Sequence, residues 1–169
     1  ALAQTRSLAD LKLLAAADIE LDVLGGPDML PDVARLAKEI PDLRIVIDHV
    51  ANTRIDGKAS DPDWHRGMLS AAKHPNVCCK VSGLVEGTGR ADGTAPRAVE
   101  FYQPVLDAIW NAFGAERLIY GSNWPVSGRF ASLAAVQGIV GDYFKTKSPA
   151  ALEKVFWKNA LAVYKWVKR

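Results

Sequence analysis

The sequence predicts an α/β fold in which four short strands alternate with longer helices. Apolar runs of strand length, rich in β-branched residues, recur over residues 19–24, 43–50, 76–82 and 117–120. Between them, apolar residues fall at helical spacing, as in Leu30, Val33, Ala34, Leu36 and Ala37. The second run, Leu-Arg-Ile-Val-Ile-Asp-His-Val, is almost continuously apolar until its end. A strand buried on both faces needs that composition, so helices are expected to cover the faces of a parallel sheet.

Local punctuation sets the expected boundaries. An opening helix over residues 7–17 begins at Ser7 with Asp10 three positions on, a capping-box-like start. The first strand stops at Gly25-Gly26-Pro27, Asp28 stands ready to cap the next helix, and Pro41 ends that helix. After the second strand, a polar loop over residues 51–62 leads to Asp63 as the cap of a helix over residues 64–73, which His74-Pro75 breaks. Residues 83–96 carry four glycines and read as a mobile stretch of the length used for functional lids. A helix over residues 97–113 stops at Gly114, and the fourth strand enters Gly121-Ser122-Asn123-Trp124-Pro125. Helices over residues 133–144 and, behind Ser148-Pro149, 151–166 close the chain. Neither an internal repeat beyond the strand-helix period nor a linker interrupts this, so residues 1–169 read as a single domain.

Composition narrows the function. With 49% hydrophobic and 24% charged residues, the 169-residue chain suits an ordinary globular domain of cytoplasmic type. A net charge of +2 gives no field that would select nucleic acid or an anionic membrane, and the local basic cluster of Lys165, Lys168 and Arg169 reads as a solvated tail. No apolar run is long enough for a membrane span, and no secretion signal opens the chain. Cys78 and Cys79 are adjacent on a strand and so point to opposite faces, as buried thiols rather than a disulfide. Gly87-Thr88-Gly89 lacks the third glycine of a dinucleotide loop, and there is neither a Gly-x-Ser-x-Gly elbow nor a P-loop lysine.

In parallel α/β folds, chemistry collects at the carboxyl ends of the strands, where the following loops converge. Those ends carry Asp22, then Asp48 and His49, then Lys80 and Ser82, then Ser122, Asn123 and Trp124. Polar groups closing four successive apolar strands form a more specific signal than any one of them, because each is costly to bury without a partner. Period two places Lys80 with Ser82 and Asn123 with Gly121 and Ile119, and puts Ile45 and Ile47 on whichever face His49 occupies. His65 and His74 read as surface residues. Trp64, Trp110, Trp157 and Trp166 read as packing, while Trp124 is placed to wall a pocket.

The strings Val46-Ile47-Asp48-His49, Asn-Val-Cys-Cys-Lys-Val-Ser-Gly-Leu over residues 76–84, and Phe-Gly-Ala-Glu-Arg-Leu-Ile-Tyr-Gly-Ser-Asn-Trp-Pro-Val over residues 113–126 carry a resemblance. With Asn159-Ala160 and Tyr164, they are similar to the amidohydrolase-related family, in its L-fuconolactonase-like and pyrone-dicarboxylate-lactonase-like branches. The resemblance implies the C-terminal half of a (β/α)8 barrel, with these elements as its fifth to eighth strands. The first four, and the His-x-His motif of the first, would lie outside this chain. A complete barrel takes about 250 residues, which agrees.

The same resemblance puts His49 at a position that contacts substrate or metal, and Asn123 where an aspartate general base usually stands. An amide cannot take a proton from water near neutral pH as a carboxylate does. Three readings stay open: another group such as His49 deprotonates the water, Asn123 only orients water or substrate, or the protein is an inactive relative. His49 and Asn123 are the expected catalytic pair, with Asp22, Lys80, Ser82 and Trp124 as substrate contacts; Lys80 reads equally as a salt-bridged strand lysine. The three histidines of the chain do not make up a zinc site, so a divalent ion is expected only in a complete barrel. The expected reaction is hydrolysis of a sugar-acid or related carboxylate lactone. Its rivals are a metal-dependent decarboxylase or amidohydrolase, and a non-catalytic half barrel. Open sheet edges predict a homo-oligomer or part of a longer chain.

Overall fold

The computed structural model describes residues 5–165, so Trp166, Lys168 and Arg169 lie outside the described residues. Four strands, β1 (Leu21–Val23), β2 (Ile45–Ile47), β3 (Val77–Val81) and β4 (Leu118–Tyr120), form one sheet in the order β1-β2-β3-β4. All three pairings are parallel. Each strand thus sits beside its successor in sequence, the singly wound order of a barrel segment. Helix α1 (Thr5–Ala16) precedes β1, and α2 (Leu30–Glu39), α3 (Pro62–Ala72) and α4 (Gln103–Phe113) are the crossovers. After β4 come α5 (Leu133–Lys145), α6 (Pro149–Glu153), a π turn (Lys154–Lys158) and α7 (Asn159–Tyr164).

Period two sorts the sheet into two apolar layers. On the outer face, Ile45, Ile47, Val77, Cys79, Val81 and Leu118 join the large cluster built with helix residues such as Leu30, Leu36, Met68, Leu106 and Phe144. Fully burying such a side chain stabilises by about 1.5–3 kcal/mol, so this layer dominates the stability. The inner face has a small cluster of Val46, Cys78 and Ile119, covered by Ala160 and Val163 of α7. Both thiols are free and buried; burial pushes Cys78 up to about 11 and Cys79 higher, which leaves them inert packing groups.

At the amino ends of the strands, side chains bind carbonyls at the helix ends and in the turns that lead into the strands. The Asn76 amide donates to the carbonyls of Ala37, Ile40 and Leu43, and Arg117 Nη1 donates to those of Ala72, His74 and Val77. Asn159 donates to the carbonyls of Ala115 and Leu118 at 2.7 and 2.8 Å, which locks the last helix to β4.

Several expected boundaries shift for local reasons. Ser7 lies inside α1, which already includes Thr5. Asp28 sits in a 3-10 turn (Pro27–Met29) and caps nothing, because Pro27 and Pro31 set the turn and the helix start. Helix α3 is capped by Asp61, whose carboxylate accepts from the backbone N–H of Asp63 and Trp64, and Pro62 takes the first helical position. The helix expected over residues 97–113 begins as a 3-10 turn (Val99–Phe101), and Pro104 opens α4. Ser148 caps α6 as expected, and Ser132 caps α5. Trp64 is fully buried, whereas Trp157 is half exposed and is not a core residue. No helix among the described residues is long and apolar enough to cross a membrane.

Replacing Asn159 by alanine leaves two buried carbonyls without donors. The full-length protein should lose roughly 1–3 kcal/mol in urea unfolding. A loss below about 0.5 kcal/mol, the range of an ordinary surface change, would show that this amide does not hold the last helix in place.

Candidate functional site

The site is built from what the chain does as each strand ends. Beyond β2, residues Asp48–Asn52 turn with His49, Val50, Ala51 and Asn52 all in the left-handed region, at φ of 51°, 46°, 55° and 45°. Left-handed backbone costs a residue with a Cβ about 1–2 kcal/mol, and here four such residues follow one another. Tertiary bonds hold them: Trp64 Nε1 donates to the Val50 carbonyl at 2.8 Å, and Asn52 Nδ2 to the Gly25 carbonyl at 3.1 Å.

That turn breaks the alternation on which the sequence reading of this strand rested. Ile45 and Ile47 face the outer helices and His49 does not share their side, because extended backbone stops at Ile47. The imidazole instead swings toward β3, with Nδ1 2.8 Å from Ser82 Oγ. Gly83 makes room for it: a Cβ on that residue, itself at φ 65°, would stand 2.7 Å from the His49 Cβ.

Lys80 and Ser82 do share the inner face. Gly121 packs directly opposite, where a Cβ would come within 3.3 Å of the Ser82 Cβ and 3.4 Å of the Lys80 Cδ. Lys80 Nζ lies 2.8 Å from Asp22 Oδ2 and 2.6 Å from Asp48 Oδ1, so one cation on β3 joins a carboxylate just past the end of the adjacent β2 to one on β1, the strand beyond it. Burial works against this ammonium, but the hydrogen bonds it donates to Asp22 and Asp48 outweigh that and hold the lysine well above its ordinary value. The Tyr164 hydroxyl donates to Asp22 at 3.0 Å, and burial pushes that phenol up to about 12. Asp22, Lys80, Ile119, Gly121 and Tyr164 line a cavity of about 350 Å³.

Asn123 is also left-handed, at φ 52°. Its Nδ2 donates to Glu86 Oε1 at 2.7 Å, an orientation that follows from chemistry because a carboxylate can only accept. The other oxygen, Glu86 Oε2, is buried with no hydrogen-bond partner among the described residues. Trp124, about half exposed, lies over Gly128 at the rim, joined to Pro125 by a cis peptide bond.

Glu86 was not among the residues expected from the sequence. It falls in the glycine-rich segment expected to be a mobile lid, but that segment is packed: Leu84, Val85 and Ala95 are buried, and Glu86–Thr88 form a 3-10 turn. The Ile55 N–H donates to the Gly87 carbonyl at 2.8 Å, while Gly93 and Ala95 donate to the carbonyls of Arg129 and Phe130. The available signal was a carboxylate four residues beyond Ser82, close to a strand end whose own carboxylate position holds asparagine.

The structure therefore brings His49 to Ser82, Asp22 to Lys80, and Asn123 to Glu86, all from the ends of strands or the turns that follow. His65 and His74 are half-buried in or just after α3 and take no part. Among the described residues, no group of three or more histidine, cysteine, aspartate or glutamate side chains is arranged to hold a metal ion.

Residues 7–166 match the family model described as amidohydrolase. An L-fucono-1,5-lactonase of Burkholderia ambifaria is 36% identical over 163 residues, covering 90% of this chain and 52% of that protein. A zinc-bound amidohydrolase from Burkholderia multivorans superposes with a TM-score of 0.87 at 27% identity, over 97% of this chain and 58% of the other. A putative 2-pyrone-4,6-dicarboxylic acid hydrolase from Pseudomonas putida, 23% identical over 99% of this chain and 58% of its own, shares the fold with a TM-score of 0.73. The chain thus spans about half the length of its matched relatives, as a partial barrel does.

Replacing Lys80 by methionine would leave Asp22 and Asp48 facing each other without a counter-charge. Breaking a buried pair costs roughly 3–5 kcal/mol, and the partial exposure of Asp22 puts the expected loss at the low end. Chemical denaturation of the full-length protein checks this. Unchanged stability would show the cluster to be a surface pair.

Proposed function

The chain belongs to the amidohydrolase family, and we propose that its strand ends form half of a site that hydrolyses a sugar-acid lactone. Water attacks the ring carbonyl, the ring C–O bond breaks, and the product is the open hydroxy acid. The observation that carries this reading is the His49 imidazole, anchored through Nδ1 on Ser82 at 2.8 Å by a backbone turn of four left-handed residues. With Nδ1 engaged, Nε2 is the nitrogen left for substrate or water, and strained backbone held by tertiary bonds is typical of functional sites. The L-fucono-1,5-lactonase of Burkholderia ambifaria supports the substrate class.

The charge of the site favours a neutral, polyhydroxylated ring over a dicarboxylate. Lys80 is already met by Asp22 and Asp48, so the cluster carries one surplus negative charge and offers acceptors to hydroxyl groups rather than a cation to an acid. In this reading Asp22 and Lys80 form the floor, Ser82 orients His49, Asn123 directs water or substrate, and Trp124 walls the rim.

A metal ion, such as the zinc of the Burkholderia multivorans structure, would need ligands from elsewhere, since one histidine and the paired carboxylates here do not make a set. No step is routed through one. The open edges at β1 and β4 would be covered either by further residues of a longer chain or by a second copy. Asparagine at position 123 gives a non-catalytic binding protein some standing, and turnover separates the two.

In a panel of aldonolactones assayed with the full-length protein, at least one should be opened, and His49→Ala should lower its kcat/KM by on the order of 100-fold. An undiminished rate in His49→Ala removes this residue from the chemistry. Binding without turnover across the panel supports the non-catalytic alternative.

A further inference from the structure

Trp64 reads from the sequence as a packing residue, and its ring is indeed fully buried on α3. A phenylalanine would fill such a place with no polar atom, whereas a buried indole N–H needs an acceptor. Here the acceptor is the carbonyl of Val50, 2.8 Å from Nε1, in the residue that follows His49. We infer that Trp64 is a positioning residue for the lactone chemistry: through the Val50 carbonyl, its N–H holds the left-handed turn that seats the His49 imidazole on Ser82.

That turn has to be held from outside. His49, Val50 and Ala51 have φ of 51°, 46° and 55°. Left-handed backbone crowds a Cβ against the following carbonyl oxygen, and a β-branched residue such as Val50 tolerates this least. Such a conformation persists only where its surroundings over-determine it. The Val50 and Ala51 side chains are buried in the outer apolar layer, and the Val50 N–H donates to the Cys79 sulfur. The Asn52 amide donates to the Gly25 carbonyl at 3.1 Å, but this bond is exposed to water that competes for it. The indole bond is buried, where a hydrogen bond is stronger.

The indole is fixed in its turn. Pro62 takes the first position of α3, and the Asp61 carboxylate accepts from the Trp64 backbone N–H at 2.9 Å. A continuous path therefore runs from the helix cap through the indole to Val50, His49 and Ser82 Oγ, 2.8 Å from Nδ1. No part of it stands at an open sheet edge, because β2 and β3 are the two central strands and α3 crosses between them. The imidazole has little latitude, since a Cβ on Gly83 would stand 2.7 Å from the His49 Cβ. Without the Val50 bond the backbone of His49 can return toward the right-handed region, which carries its Cβ off this seat and breaks the contact with Ser82. A misplacement of about 1 Å can cost catalysis on the order of 100-fold.

This assignment rests on the lactonase reading, and a double-mutant cycle separates the two. With the lactone that the full-length protein opens, Trp64→Phe removes the N–H and keeps an aromatic ring. It should lower kcat by about tenfold or more and leave KM within about threefold. The same change made in His49→Ala should lower the residual rate by less than about twofold, because a residue that acts through His49 then has nothing left to position. A smaller fall in kcat, or a fall in His49→Ala as large as in the unaltered protein, overturns the assignment alone. Should Trp64→Phe not fold, 3-benzothienylalanine at position 64, which keeps the indole shape with sulfur in place of the N–H, goes through the same cycle with the same criteria. Unaltered protein that opens no lactone of the panel overturns the lactonase reading and this assignment together.

Discussion

A lysine on the inner face of a four-stranded sheet has to be matched by negative charge, and this requirement organises the rest of the molecule. Lys80, on β3, meets Asp48, just past the end of the adjacent β2, and Asp22, on β1 one strand further. The apolar part of that face is only Val46, Cys78 and Ile119, too small to form a core by itself. The ion cluster fills the level above it, and Tyr164 closes over Asp22 from α7. An unpaired ammonium at this depth would be strongly disfavoured, so the three strands are held in one register around it. Two residues further along β3, Ser82 emerges above this floor and receives His49.

Above the floor, the backbone stops being extended and begins to aim side chains. The left-handed run from His49 to Asn52 and the left-handed Asn123 both follow directly on strands. Both are braced, the first by Trp64 and Asn52, the second by Glu86. Strain held by such bracing is retained where it serves a purpose, here turning an imidazole and an amide toward groups on β3 and the turn after it. The outer helices supply the stability that this requires, because nearly all large buried side chains are on their side of the sheet.

Much of this was legible in the sequence. The strand-helix alternation, the parallel order and the shared face of Lys80 and Ser82 follow from periodicity, which is a property of extended backbone and survives wherever the backbone is extended. The face of His49 was misread for the same reason: parity counts residues along a strand, and the strand had ended at Ile47. Glu86 was hidden by composition, since four glycines suggest mobility unless the tertiary contacts of Gly87 with Thr53 and Ile55 are known. The ion pairing of Lys80 follows from the sequence only as one of two roles, because partners on other strands depend on strand order and register.

Everything here depends on His49, held on Ser82, meeting a ligand above the Lys80 floor. The most direct measurement is a crystal structure of the full-length protein with a slowly hydrolysed lactam analogue of a sugar lactone. The expected result is a ring carbonyl or its attacking water within hydrogen-bond distance of His49 Nε2, with ring hydroxyls directed at Asp22 or Asp48. An analogue bound away from the His49 imidazole would contradict it.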